Sequence, residues 1–231
     1  MREIVLDTET TGLDPGEGHR VVEIGAVELI NHMPTGRVFH EYVNPERDMP
    51  AEAEKIHGIS RAFLEDKPLF AAVAEPFLRF LEEDGQGASS PGTLVIHNAA
   101  FDMKFLNSEL TRLDHPAIAD DRVIDSLQLA RQRFPGAPAN LDALCRRFDV
   151  DVSVRTKHGA LLDSELLAEV YLGLIGGRQP DLDLSVGSAE QKVAVARDRT
   201  PRPARPHGPS DDELAAHREL LGKIKAPLWT A

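Results

Sequence analysis

The stretch Glu3-Ile-Val-Leu-Asp-Thr-Glu9 is a short apolar run that ends in two acids, and residues 10–16 after it have the composition of a turn. This pattern predicts a buried strand that carries its acids to an edge of a sheet. Residues 21–28 and 37–43 have the composition of two further strands, with hairpin-like loops between them. Beyond them, strand patterns alternate with helical patterns. A group of strands followed by strands that alternate with helices predicts an α/β fold with a mixed sheet flanked by helices.

The alternating part extends from residue 71 to residue 175. Some of its segments repeat apolar residues at helical spacing, while others are short and continuously apolar. We predict helices over 71–82, 100–113, 126–133, 141–148 and 159–175, and strands over 93–97 and 123–125.

The composition of the 231 residues is that of a globular protein, with 42% hydrophobic and 28% charged residues. The single cysteine, Cys145, excludes an intramolecular disulfide and any multi-cysteine metal site. No apolar run approaches the ~20 residues of a membrane span, and the first residues lack the pattern of a signal peptide. We therefore expect a cytoplasmic protein with no membrane partner.

The net charge of −12 bears on the class of function. Non-specific binding of nucleic acid depends on Lys and Arg side chains that neutralise phosphates. A chain this acidic is not expected to coat DNA. If it handles nucleic acid, we expect a local site at which metal ions supply the positive charge.

The composition changes near the C-terminus. Residues 187–210 contain four prolines, scattered arginines and almost no large apolar residues, which predicts a flexible linker. Helical spacing returns between Asp211 and Trp229. We expect one large domain over 1–178, a linker over 179–210 and a short helical tail over 211–231.

Asp7 and Glu9 are two residues apart in an extended strand, so their carboxylates face the same side. They end an apolar strand, which is where open α/β sheets tend to bind ligands. Two solvated acids at a strand end remain the alternative, because an Asp-x-Glu pair is common by chance.

Two more acids lie on the apolar faces of predicted helices. Asp102 is one helical turn before Phe105, and Asp163 is one turn before Leu167. An acid on a buried face needs a cation, a donor or a proton. For Asp102 the alternative is a first-turn acid that complements the helix dipole. His158 lies five residues before Asp163, near the start of the same helix.

The repulsion between carboxylates shows what a site with four converging acids requires. Two carboxylates 4 Å apart repel by about 4 kcal/mol at an effective dielectric constant of 20. Four of them therefore need protons or cations, and all-oxygen ligation suits Mg²⁺ or Mn²⁺ rather than zinc or copper. Two such ions, about 3.5–4 Å apart, form the known arrangement for in-line displacement at phosphorus. His158 is suited to taking the proton from an attacking water.

The order and spacing of these residues resemble the exonuclease motifs of the DEDD superfamily in its histidine variant. The matching segments are Asp7-Thr-Glu-Thr-Thr-Gly12, Val95-Ile-His-Asn-Ala-Ala-Phe-Asp102 and His158-Gly-Ala-Leu-Leu-Asp163, supported by 56–59, 111–125 and 140–145. The resemblance covers residues 4–177. Within the superfamily, the chain is similar to the epsilon proofreading subunits of bacterial DNA polymerase III.

This resemblance implies a ribonuclease H-like fold and a 3′→5′ exonuclease that uses two divalent metal ions and releases nucleoside monophosphates. The family's metal ligands carry over to Asp7, Glu9, Asp102 and Asp163, and its general base carries over to His158. Its contacts with the 3′-terminal nucleotide carry over to Asp7, Glu9, Glu52, His57 and Asp163.

Two C-terminal segments resemble partner-binding segments of replication proteins. The first matches the Gln-x-x-Leu-x-Leu pattern that docks on a sliding clamp, through Gln179, Leu182 and Leu184. The second resembles the tail that holds the polymerase catalytic (alpha) subunit, with contacts expected at Leu220, Leu221, Ile224 and Trp229. A helix that caps the domain's own surface is the alternative for this tail. The resemblance raises a small theta-like subunit as a further partner without deciding it.

We therefore expect a metal-dependent exonuclease that removes mispaired nucleotides from the single-stranded 3′ end of DNA, at the replisome in the bacterial cytoplasm. Two other classes of protein stay open. A related nuclease that trims RNA ends would use the same five residues, although the linker and tail favour a tethered proofreader. A non-catalytic structural subunit would use only the fold, and the intact acids and histidine argue against it.

Overall fold

The computed structural model describes residues 1–153, 157–177 and 208–224 of the chain. Residues up to 177 belong to one compact unit, and residues 208–224 belong to a second. Among the described residues, no helix is both long enough and apolar enough to cross a membrane.

A mixed sheet forms the centre of the first unit, as the sequence predicts. Its strands are β1 (Arg2–Thr10), β2 (Val21–Ile30), β3 (Met33–Tyr42), β4 (Thr93–Ile96) and β5 (Val123–Asp125). They lie in the order β3-β2-β1-β4-β5. β1, β2 and β3 pair antiparallel, whereas β1, β4 and β5 pair parallel. The central strand β1 therefore joins the antiparallel and parallel halves.

β2 and β3 are longer than the sequence predicts, and they form one tight hairpin. Asn31 and His32 connect them with φ angles of 50° and 67°. Two consecutive residues at positive φ are typical of the turn that suits the right-handed twist of a hairpin. The pairing can therefore continue to Ile30 and Met33 instead of ending at a longer loop.

The helices of the first unit cover both faces of the sheet. They are α1 (Ala51–His57), α2 (Arg61–Leu64), α3 (Phe70–Glu82), α4 (Ala99–Arg112), α5 (Ser126–Arg133), α6 (Leu141–Arg147) and α7 (Ala160–Leu174). The helices after residue 70 agree with the predicted ones to within a residue or so at each end. α1 and α2 have no counterpart in the sequence prediction, because each is short and buries only one or two side chains.

Strand alternation assigns the residues of β1 to two separate layers. Ile4 and Leu6 are fully buried in the cluster that contains the apolar side chains of α3 and α4. Val5 belongs to a second cluster with Leu167 and Tyr171 of α7. α3 and α4 thus pack on one face of the sheet, and α7 packs on the other.

α7 approaches β2 unusually closely at Gly25. A Cβ atom at this position would overlap the backbone of Ala160 and Leu161. The hydroxyl of Ser164 donates a hydrogen bond to the Gly25 carbonyl over 2.9 Å. The missing side chain therefore allows the first turn of α7 to lie directly on the strand.

The second unit contains one described helix, α8 (Asp211–Lys223). Ser210 and Glu213 form a reciprocal capping box at its start, which fits the predicted beginning of a helical tail. Each side chain of the helix is exposed or half-buried. The rest of the predicted tail, 225–231, and the linker residues 178–207 lie outside the described residues.

Candidate active site

The end of β1 places Asp7 and Glu9 on the face of the sheet that α7 covers. Asp7 is half-buried and Glu9 is buried. Thr8, between them, faces the opposite layer, where its N–H and its hydroxyl both donate to Oδ1 of Asp102, over 3.0 and 2.7 Å. One strand end therefore meets acids from both faces of the sheet.

Asp102 lies in the first turn of α4 and is 3% exposed. The turn before the helix is fixed by Asn98, at φ 66°, whose N–H donates to Oδ1 of Asp125 over 3.1 Å. Burial raises the pKa of Asp102 to about 7, although the two hydrogen bonds from Thr8 oppose the change. Asp102 is therefore both a first-turn residue of α4 and a buried, inward-facing acid.

Asp7 is in an environment that disfavours its charged form. Burial raises its pKa well above the ordinary value, and the charges of Asp102, Glu9 and Asp163 raise it further. These acids come from β1, α4 and α7, which are distant in sequence. Their mutual repulsion is what a bound cation would relieve.

α7 brings the fourth acid and the histidine to the same place. Asp163, 3% exposed, lies in its first turn, and Nδ1 of His158 is 3.2 Å from Oδ2 of Asp163. The imidazole itself is half exposed. One ligand atom each from Glu9, His158 and Asp163 lie within 4.8 Å of one another.

This tight group differs from the predicted set of four carboxylates. Within the described ranges, it includes His158 and omits Asp7 and Asp102. Asp102 is held by Thr8 on the other side of β1, and Asp7 is linked to the group through its electrostatic interactions with Glu9 and Asp163. The carboxylate oxygens of Glu9 and Asp163 are donors that suit Mg²⁺ or Mn²⁺, whereas the imidazole of His158 is not a preferred ligand of these ions.

A cavity of about 430 Å³ opens beside Glu9, between the end of β1 and α1. Glu52 is exposed on its α1 side, and His57 is buried in its wall. Nδ1 of His57 accepts the N–H of Ile59 over 3.0 Å, so the proton of the neutral ring is on Nε2. Burial lowers the pKa of His57, which keeps the ring neutral.

The Nε2 atom of His57 is buried and makes no hydrogen bond of normal geometry among the described residues, although the Thr10 backbone interacts with the ring. An orphaned buried donor is unfavourable unless a ligand supplies the acceptor. Thr8, Thr10 and Phe101 also line the cavity. Its walls thus combine polar donors with apolar surface, as small-molecule and nucleotide sites do.

Two residues that shape the site were missed by the sequence prediction. Thr8 holds Asp102, and Glu23 of β2 lies opposite Glu9 and accepts a hydrogen bond from α7. A charged residue inside the apolar run 21–28 was the available signal for Glu23. The contact of Thr8 with Asp102 depends on two segments 94 residues apart, so no local pattern indicates it.

The partner-binding residues expected near the C-terminus are described only in part. Leu220 and Ile224 are exposed, at 56% and 43%, and Leu221 is half-buried. Gln179, Leu182, Leu184 and Trp229 lie outside the described residues. Their contacts with a clamp or a polymerase stay predictions.

Comparison with known proteins identifies the family of the chain. The RNase T family model, described as an exonuclease, matches residues 4–171. The chain is 50% identical to the DNA polymerase III subunit epsilon of Rickettsia felis, over 97% of both chains. It is 43% identical to the DNA polymerase III subunit epsilon of Escherichia coli K12, over 100% of this chain and 98% of that protein.

Two solved structures share the fold. Exonuclease X in complex with 5′ overhanging duplex DNA is 26% identical and gives a TM-score of 0.56, covering 75% of this chain and 91% of that one. The nuclease domain of 3′hExo, a DEDDh family member bound to rAMP, gives a TM-score of 0.64 at 19% identity, with 76% and 92% covered.

Proposed function

The chain belongs to the RNase T exonuclease family and, within it, to the DNA polymerase III epsilon subunits, and from this membership we propose how its residues act as a 3′→5′ exonuclease. The reaction is removal of a mispaired 3′-terminal nucleotide from DNA by hydrolysis, with release of a nucleoside monophosphate. The observation that supports it best is the meeting of buried, mutually repelling acids with His158 beside a nucleotide-sized cavity.

Asp7, Glu9, Asp102 and Asp163 are the proposed ligands of two divalent ions, Mg²⁺ or Mn²⁺. The raised pKa values of Asp7 and Asp102 fit this role, because each reflects a charge that the protein alone does not stabilise. When bound, the ions would supply Lewis-acid activation of a water and stabilisation of the leaving oxygen. The carboxylates hold that charge in place at the end of β1.

His158 is the proposed general base. Its Nδ1 contacts Asp163, and an imidazole that donates through Nδ1 presents Nε2 as its basic nitrogen. The half-exposed ring can meet both the attacking water and bulk solvent. It therefore takes the proton from the water during attack and passes it to solvent afterwards.

The terminal nucleotide is proposed to occupy the cavity between β1 and α1. The Nε2–H of His57 would donate to an acceptor atom of that nucleotide, which would remove the orphaned buried donor. Glu52, on the solvent side of the same wall, would accept from a hydroxyl or base donor. With Asp7, Glu9 and Asp163, these residues would hold the 3′ end next to the reacting phosphate.

We further propose where the protein acts in the cell and which partners its C-terminal residues bind. The protein would act within a DNA polymerase III assembly in the bacterial cytoplasm, bound to the catalytic alpha subunit through its tail. Gln179, Leu182 and Leu184 would bind a sliding clamp, and a small theta-like subunit is an additional candidate partner. The resemblance to epsilon subunits supports these assignments.

The test is an exonuclease assay on matched DNA and RNA oligonucleotides of the same sequence, with Mg²⁺, with Mn²⁺ and with chelator. We expect stepwise loss of nucleotides from the 3′ end of DNA, dependent on metal and faster than on RNA. Faster cleavage of RNA would favour an RNA-trimming enzyme. Absence of cleavage by the folded protein with either metal would leave only a structural role.

A further inference from the structure

Glu23 is a buried acid beside the site with no role in the proposed chemistry. It is 3% exposed and lies directly opposite Glu9 in the pairing of β1 with β2. Its charge adds to the effects that raise the pKa of Asp7. A further buried charge next to other acids is unfavourable unless its contacts compensate.

The first compensating contact is with the start of α7. Oε2 of Glu23 accepts the N–H of Ala160, the first residue of the helix, over 3.1 Å. The residue before it, Gly159, has no side chain that could cap the helix. A carboxylate at this end also suits the positive pole of the helix dipole. Glu23 is therefore an N-terminal cap that another strand supplies to α7.

The second contact is with His40 on the neighbouring strand β3. Nε2 of His40 is 2.7 Å from Oε1 of Glu23. The same hydrogen bond raises the pKa of His40, which favours the charged ring and an ion pair. His40 lies opposite Gly25, so the row of contacts leads from β3 across β2 to the first turn of α7.

The start of α7 is thus held on β2 by two contacts. Glu23 holds its first N–H, while Gly25 allows the close approach and accepts the hydroxyl of Ser164. The same turn carries Asp163, and His158 lies just before it. A small rotation or slide of this turn would move both functional side chains relative to Glu9.

We propose that Glu23 and His40 are positioning residues: Glu23 caps α7 and so keeps His158 and Asp163 in register with Glu9, and His40 holds Glu23 in place. The inference rests on the proposed roles of His158 and Asp163. Neither Glu23 nor His40 lines the cavity that the described residues form beside Glu9. Their loss should therefore affect turnover rather than binding of the oligonucleotide.

The principal test compares Glu23→Ala with Glu23→Gln in the full chain. Glu23→Ala removes the cap, and a misplacement of about 1 Å at a reacting group costs up to about a hundredfold in rate. We expect kcat to fall about tenfold to a hundredfold, with KM within about threefold of the wild type. Glu23→Gln keeps an oxygen acceptor for the Ala160 N–H, so it should recover most of this loss.

His40→Ala has a matched control at the other end of the same helix. His32 contacts Glu3 over 3.0 Å, and Glu3 accepts the hydroxyl of Tyr171 in the C-terminal half of α7 over 2.8 Å. This is the same chemistry far from the first turn. His32→Asn, chosen because asparagine tolerates the positive φ there, should leave kcat unchanged, whereas His40→Ala should lower it.

A second measurement does not depend on activity. Amide hydrogen exchange in metal-free protein should become at least about tenfold faster in the first turn of α7 in Glu23→Ala and His40→Ala, and not in His32→Asn. If Glu23→Ala does not fold, the comparison of His40→Ala with His32→Asn tests the positioning role instead.

Failure of the proposed function and failure of the positioning role give different results. An inactive wild type would remove the proposed function, and the positioning role with it. An active wild type with unchanged kcat and exchange in Glu23→Ala would overturn the positioning role alone. Equal losses of kcat in His40→Ala and His32→Asn would do the same, because they would indicate a general structural effect.

Discussion

The charged form of Asp7 is disfavoured both by burial and by neighbouring carboxylates. Burial raises its pKa, and Asp102, Glu9, Asp163 and Glu23 each raise it further. A raised pKa means that the folded protein is less stable with Asp7 charged than with Asp7 neutral. If Asp7 ligates a metal ion as proposed, the bound cation would offset this cost.

Asp7→Ala should therefore abolish exonuclease activity while keeping or raising the stability of the metal-free protein. Above its raised pKa, wild-type Asp7 is charged and destabilises the fold; as the pH falls toward the unfolded-state value of about 3.9, it is protonated and the penalty disappears. In chelator, the melting temperature of the variant should equal or exceed that of the wild type at neutral pH, and the difference should shrink on acidification. A clearly lower melting temperature at neutral pH, or activity restored by excess Mg²⁺, would contradict the assignment.

His158→Ala tests the proposed base in a different way. Loss of a general base lowers turnover by about 10²–10⁴, and the metal concentration needed for half-maximal activity should change little. The exposed His217 of α8 provides a control, because His217→Ala should keep the wild-type turnover. A turnover of His158→Ala equal to that of the wild type would contradict the assignment.

At the scale of elements, α7 is the part whose placement matters most. Its first turn carries Asp163, its middle packs on β1 and β2 through Leu167 and Ala168, and its close approach depends on Gly25. The closeness leaves no space for a methyl group on the strand. We therefore expect stability and catalysis to depend on the same contact.

Gly25→Ala should destabilise the protein and slow the reaction together. Extra volume in a packed interface typically costs about 1–3 kcal/mol, and here the obstacle is backbone that cannot rotate away. Urea unfolding measures the first effect, and kcat measures the second. Gly159→Ala is the matched control for stability, since a Cβ there meets no atom within 4 Å. Equal stability of the two variants would show that α7 can shift without penalty.

Local patterns account for much of the fold and for the acids of the site. A short apolar run indicates β1, and helical spacing indicates that Asp102 and Asp163 face inward. Such patterns do not indicate α1, which buries only Ala53 and His57 and therefore has little apolar periodicity. They show Glu23 only as a charge inside an apolar run, because its contacts are set by the register of β2 against β1 and by the packing of α7, which are non-local.

For the whole molecule, the net charge of −12 opposes binding of a polyanion, so affinity for DNA must come from a small site. A weak local site works well if the enzyme is kept close to its substrate. A flexible tether does this by raising the effective concentration of the enzyme near the primer end without fixing its orientation. The predicted linker and tail fit such a scheme, and α8 leaves Leu220 and Ile224 exposed for a partner.

Deletion of residues 187–231 should leave cleavage of free single-stranded oligonucleotides nearly unchanged and abolish association with the polymerase catalytic subunit. A short isolated helix is marginal in water, so we expect apolar residues of the tail to bind in a groove of the partner. Large aromatic anchors dominate such interfaces, and Trp229→Ala should weaken binding by about 2 kcal/mol, near thirtyfold. The paired measurement is exonuclease rate and co-elution with the polymerase subunit. A truncated protein that still co-elutes would place the contact on the catalytic unit and remove the need for a tether.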